Sequence, residues 1–183
     1  MKKIVWGLVL TIMLVPLAQS AEKMAPAGRA DIELDTVLSG LHKRSSQIFL
    51  VHDTVPKLVS VGHIDSKAID YPILLVILRN NNLAAVQMQG VVNIVPQGLI
   101  RQYALPIANT DDSAIADDEW VTRVVQVEHV SAAQLVPILR PLIPQAGHLA
   151  ASGKTGNLIL VSHYANVRRI SALIAELDKK PVQ

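Results

Sequence analysis

Hydrophobic and polar positions alternate most regularly in the last third of the chain. Val121, Arg123, Val125, Val127 and His129 fall on one side of an extended run, with Thr122, Val124, Gln126, Glu128 and Val130 on the other, which predicts a β-strand. Ser131 stands three residues before Gln134, the spacing of a capping box, in which the two side chains satisfy the first free amides of a helix. Leu135, Ile138, Leu139 and Leu142 then recur at i, i+3, i+4 and i+7, one apolar stripe. Pro137 removes an amide donor inside that stripe, and Pro141 and Pro144 help to end it. A short strand over 148–151, a turn at SGKTG and the strand NLILVSH follow. The final helix is expected to turn Val167, Ile170, Leu173, Ile174 and Leu177 inward before DKKP stops it. The predicted order is strand, helix, strand, strand, helix.

The same periodicity argument divides the earlier part of the chain. Leu34, Val37, Leu38 and Leu41 share one side of a helix over 35–43, and Lys43 and Arg44 suit its negative C-terminal end. QIFLV, residues 47–51, predicts a short buried strand, and VSVGHI, residues 59–64, a second one that alternates. Asp70 or Tyr71 caps the next helix, with Pro72 in its first turn, where a missing amide costs nothing. ILLVIL shows no polar face, so this helix should be the buried centre of its unit, ended by Asn80, Asn81 and Asn82, since Asn tolerates the left-handed conformation. LAAVQMQ and VVNIVP, joined through Gly90, predict a hairpin.

Three blocks carry a family resemblance. VVQVEHVSAAQLVPILRPLIP, GNLILVSH and NVRRISALIAELD are similar to the periplasmic repeat domain of bacterial secretins, the outer-membrane pore proteins of type II secretion, type IV pili and relatives. The resemblance implies a small KH-like βαββα fold that packs side by side into rings. The stretch from ELDTVLSGLHKRSSQIFLV through VSVGHIDSKAIDYPILLVILRNNNLAAVQMQGVVNIVP is similar, mainly in spacing, to the STN domain that precedes that repeat in secretins and opens some TonB-dependent receptors. One departure is that the first strand is reduced to Arg29–Ile32. The expected class is therefore α+β: an STN-like domain over 31–97, a linker over 98–118 and a repeat domain over 119–181. QGLIRQYALPIANTDDSAIADDE between them, with its acidic tip, is expected to be solvated and hinged, although LIRQYALPI could pair as a strand.

Composition changes the picture at the N-terminus. Lys2 and Lys3 precede an apolar run from Ile4 to Leu17 and a small-residue region at Ala18–Ala21, the layout of a secretory signal peptide over 1–21, with an uncleaved anchor as the alternative. Residues 22–30 are small, polar and unpatterned, and are expected to be mobile. The formal charge of +2 owes everything to Lys2 and Lys3: without residues 1–20, which hold no acid, 15 cationic side chains stand against 15 anionic ones. A neutral chain has no general attraction to nucleic acid or anionic lipid. The absence of Cys fits export without disulfides and leaves no Cys to carry a lipid.

Candidate chemistry is sparse. Gly147 and Gly153 are one residue too far apart for a phosphate loop, and SGKTG leads into a strand rather than a helix, so a hairpin turn is the expectation. His42, His52, His63, His129, His148 and His163 form no close ligand pair, and Ser60, Ser131 and Ser162 lack a nucleophile elbow. The expectation is no enzyme, no metal, no cofactor and no small-molecule substrate. The resemblance implies a periplasmic component or adaptor of a type II-like secretion system that acts through protein contacts. Its partners would be an inner-membrane component or a full-length secretin, with self-association open. A chain ending soon after Pro181 would lack the β-rich pore segment. An STN-type signalling module that binds a membrane-anchored regulator, or a truncated secretin remnant, are the alternatives. Unpaired strand edges give the physical route to partners. The candidate contact residues are Ile48 and Leu50, Val92 and Ile94, and Val121, Arg123 and Val125 on three strands, with Arg168 and Arg169 on the last helix.

Overall fold

Four runs of apolar residues at helical spacing build the helices that cover this molecule's sheets. The computed structural model describes residues 30–109, 111–153 and 155–180, so the expected signal peptide and nearly all of the expected mobile segment lie outside the described residues. The first unit contains β1 (Ala30–Glu33), α1 (Leu34–Ser45), β2 (Ile48–Val51), β3 (Leu58–Gly62), α2 (Tyr71–Asn80), β4 (Leu83–Met88) and β5 (Val91–Pro96). Leu34, Val37, Leu38 and Leu41 do lie on the buried side of α1. Asp70 caps α2 by accepting a hydrogen bond from the Ile73 amide, and Pro72 sits in the first turn. Asn82, with φ of 58°, takes the left-handed turn out of α2. Gln89 and Gly90 both have positive φ, the requirement of the tight turn whose twist matches a two-residue hairpin.

These strands form two sheets rather than one. β1 and β3 pair antiparallel as a ribbon, while β2, β5 and β4 form a sheet in that order, β2 parallel and β4 antiparallel to β5. Helices α1 and α2 lie on one side of that sheet, and their leucines meet Val92, Ile94, Leu83 and Ala85 in a single core with Val59 and Val61 of the ribbon. This corrects two sequence expectations. VVNIVP is a strand but the central one, paired on both sides, so Val92 and Ile94 are fully buried and offer no edge. QIFLV is a strand but not a buried one: β2 is an edge, only Phe49 packs into the core, and Ile48 and Leu50 on the opposite side are 52% and 57% exposed.

The second unit is β6 (Trp120–Gln126), α3 (Ala132–Leu139), β7 (His148–Ala151), β8 (Asn157–His163) and α4 (Tyr164–Leu177), the predicted order. Its antiparallel sheet runs β6, β8, β7, with Leu158 and Leu160 of the central strand facing Leu135, Leu139, Val167, Ile170 and Ile174 of the helices. The helical stripes are narrower than predicted. After Leu139 the chain tightens into a 3-10 turn over Arg140–Leu142, which rotates Leu142 outward and lets Ile143 take its place in the core, while Ile138 is exposed. In α4, Leu173 lies at the margin of the stripe and Leu177 is the last helical residue, and both are exposed. Ser131 is the N-cap residue of α3, but no side-chain cap bond forms; the Gln134 amide donates to the Ser131 carbonyl instead. The loop before α3 is held from outside by Asp178, whose carboxylate accepts from the amides of Glu128, His129 and Val130 at 2.8, 2.7 and 3.0 Å.

The stretch expected as a hinged, solvated linker is exposed along much of its length, Asp111 and Asp117 included, but is anchored at spaced points. Residues 97–102 form a 3-10 helix whose Ile100 is fully buried, and Ile115 and Ala116 lean on the two cores. Its composition is polar, yet a few spaced apolar residues suffice to hold it down.

Candidate interaction surfaces

Each three-stranded sheet has helices on one side only, so each is left with an open side, and the two open sides meet at one corner. Ala84 and Val86 of β4 and Val95 of β5 pack there against Trp120 of β6, Val161 of β8 and the linker's Ile100. Trp120 is a single aromatic residue with no period around it, so the sequence pattern does not place it. In the structure it is 3% exposed, with its ring tilted at 48° and 4.2 Å from that of His163. Burial lowers the pKa of His163, which therefore stays neutral near pH 7, and its Nδ1 lies 3.1 Å from the Asp118 carbonyl oxygen. The Asp118 carboxylate in turn pairs with Arg79 at the end of α2, so an ion pair crosses between the units beside the apolar corner. Arg79, Asp118, His163, Asn166 and Arg169 border an open cleft there of about 550 Å³.

The sequence-predicted contact residues divide sharply. On β2, Ile48 and Leu50 lie on the part of the open side that the second unit leaves bare, with the exposed Met88 across Val91 on β4. The His52 amide donates to the Ile94 carbonyl, which sets the phase of the parallel ladder: Leu50 is turned to β5, and the main-chain groups of Phe49 and Val51 face outward from the edge. On β6 the edge is half covered. The Thr122 amide donates to the Pro106 carbonyl and the Ala108 amide to the Thr122 carbonyl, both at 2.9 Å, leaving the outward groups of Val124 and Gln126. Val121 is fully buried and offers no side-chain surface, while Val125 is half-buried and leans on the core. Arg123 Nη1 donates to the Ala108 carbonyl at 3.3 Å, tying the covering segment down. Arg168 is engaged internally, pairing with Asp117 while its guanidinium lies 5.0 Å from the Tyr164 ring centre. Arg169 donates to the Leu142 carbonyl at 3.2 Å.

Comparison with known proteins agrees with the shape and the sequence pattern. Residues 122–183 match the bacterial type II/III secretion system short domain. Over 168 residues the chain is 27% identical to the secretin XcpQ of Pseudomonas aeruginosa, an alignment covering 91% of this chain and 25% of that protein. It is 27% identical to the secretin GspD of Vibrio cholerae across 98% of this chain and 27% of that one. The chain thus spans about a quarter of the length of the curated relatives it matches. Among solved structures, the Klebsiella pneumoniae type II secretion outer membrane complex superposes with a TM-score of 0.68 at 22% identity, covering 84% of this chain and 26% of that one.

Proposed function

We propose that this chain, which has the N-terminal region of a bacterial secretin, is a non-enzymatic periplasmic component of a type II-like protein secretion system that works by docking other proteins. The observation that carries the reading is β2, an edge strand with free main-chain groups whose Ile48 and Leu50 stand in solvent. Such an edge can accept a strand from a partner, its main-chain bonds giving affinity and the adjacent apolar side chains giving choice of partner. The solved Klebsiella complex, which contains PulD with PulS and the PulC HR domain, supports partners drawn from the secretion machinery itself. The exposed Ile48, Leu50 and Met88 are also a surface on which a second copy could sit.

The test is site-specific. A photoreactive residue in place of Leu50 should crosslink in the periplasm to an inner-membrane component or a full-length secretin. Replacing both Ile48 and Leu50 by Asp should abolish that crosslink from a probe placed at Met88 and lower exoprotein secretion. Normal secretion in the double variant, with the fold intact, would refute the reading.

A further inference from the structure

At the corner where the two units meet, two basic groups share one acid. Each unit has its own core, the first around Leu74, Leu78 and Ile94 and the second around Leu158, Leu160 and Ile170, and the corner at Trp120 is a third, smaller cluster. The chain between the units is divided in the same way. The Gln97 amide donates to the Asn82 carbonyl, which ties residues 97–102 to the first unit. Pro106 and Ala108 are bonded to Thr122 of β6, and the carbonyls of Asp117 and Glu119 accept from the Ala165 and Tyr164 amides, so that stretch belongs to the second. Residues 103–105 are left as the covalent joint.

His163 sits at this seam, 6% exposed, where β8 ends and α4 begins. A carbonyl oxygen can only accept, so the contact with Asp118 makes Nδ1 the protonated nitrogen of the neutral ring. A second proton goes to Nε2, which has no partner among the described residues. The charged groups packed round the ring are few. From α2, Arg79 opposes an imidazolium, and from the linker the Asp118 carboxylate attracts one. On α4, Arg168 is paired with Asp117, and Arg169 borders the same cleft with its guanidinium on the Leu142 carbonyl. Glu119 is bonded by Tyr71, and β6 presents Trp120, which does not titrate. Burial is the largest influence and lowers the pKa of the ring; the Asp118 carbonyl raises it, Arg79 lowers it and the Asp118 charge raises it, and the net result is a lowered value. At neutral pH, Asp118 and His163, both held by the second unit, together carry one negative charge, and that charge holds Arg79 of the first. An added proton cancels it.

We propose that this corner is a latch that opens in acid. When His163 takes up a proton, at or below about pH 6, imidazolium and guanidinium compete for one carboxylate across the seam. The units then part about residues 103–105 while each keeps its own core, and Ala84, Val86, Val95 and Trp120 are uncovered. The direction follows from linkage. The lowered pKa belongs to the closed corner and the ordinary value of about 6.5 to the open one. The closed form is therefore favoured above that value and declines as pH falls, by at most about tenfold per pH unit. The latch stands apart from docking at β2, since no partner enters it.

The chain has no Cys, so one label can be placed on each unit. Ser39→Cys and Ala172→Cys, both exposed, carry spin labels on α1 and α4, and electron spin resonance reads the distance between them. One narrow distance is expected at about pH 7.5 and a second, broader population at about pH 5, rising with the same midpoint as the His163 ring protons in NMR, below about 6.5. His163→Gln, which cannot charge, should keep the narrow distance at both pH values. Arg79→Gln leaves His163 in place, should show the broad population already at the higher pH, and should raise the His163 midpoint. An unchanged distance in acid with the ring protonated would overturn the proposal, as would a pH response that survives in His163→Gln. So would loss of amide protection inside either unit in acid, which means unfolding rather than parting.

Discussion

In the sheet β2–β5–β4 the edge strand β2 leaves Ile48 and Leu50 in solvent, whereas in the sheet β6–β8–β7 the edge strand β6 has Pro106–Ala108 laid along its first half. Both sheets are three strands wide, both have helices on one side only, and both turn part of the other side to the shared corner at Trp120. The chain thus spends its own linker on closing one edge and leaves the other open. An exposed edge is an aggregation hazard that folds ordinarily blunt. That β6 is half covered and β2 is not is the contrast on which the proposed docking role of β2 rests.

The strongest way to break the comparison is to remove one unit. Ile170→Asp places a carboxylate among Leu158, Leu160 and Leu139 with nothing to pair it, a cost of several kcal/mol against a stability of about 5–15 kcal/mol for a whole domain. Hydrogen exchange should show α3, α4 and β8 unprotected. Protection retained in α1, α2 and β5 would mean that the first unit stands alone. A parental melting curve would contradict the burial of Ile170.

Trp120→Ala asks how tightly the corner joins the units. Truncating a buried Trp costs about 3–5 kcal/mol, and here the loss falls on contacts with Ala84, Val86 and Val95 as well as on the second unit. One unfolding transition should become two, read by calorimetry. A single transition that merely moves down would place the coupling in the Arg79–Asp118 pair instead.

A finer cut compares neighbours in one sheet. Ile94→Ala in the central strand should cost about 2–5 kcal/mol in urea unfolding, because the site is fully buried. Leu50→Ala, one strand away, should stay within about 0.5 kcal/mol while weakening any contact made by β2. Equal losses at the two positions would mean that Leu50 is covered in solution, for example by a second copy.

The second unit was legible in the sequence because β7 and β8 pair antiparallel across a short turn and its helices keep a 3.6-residue period, so local pattern and global fold agree. The first was legible as a list of elements but not as a sheet. β2 pairs in parallel with β5, across the whole of β3, α2 and β4, and nothing local in QIFLV reports that distant neighbour. A run of consecutive apolar residues ordinarily marks a strand buried on both sides, which is why QIFLV was expected to be buried. The corner was hidden for a different reason. Arg79 and Asp118 lie far apart in the chain and read as ordinary surface charge, and a single tryptophan has no period.

The smallest expected effect tests the tie that Asp178 makes at the far end of the second unit. Its carboxylate accepts from the Glu128 amide and, beside it, from those of His129 and Val130, and these bonds favour the ionised form and lower its pKa, with a smaller attraction from the His129 ring. For an acid whose folded pKa lies below the unfolded value, the stabilisation is complete above the unfolded value of about 3.9 and is lost as pH falls through the folded one. Asp178→Asn keeps one acceptor oxygen and no charge. The parent should melt above the variant at pH 7, and the gap should narrow progressively below about pH 4. A gap that does not change with pH would show that the contact is held by shape rather than charge. It would also make the loop before α3 as dependent on packing as the bare β2 edge is on an incoming strand.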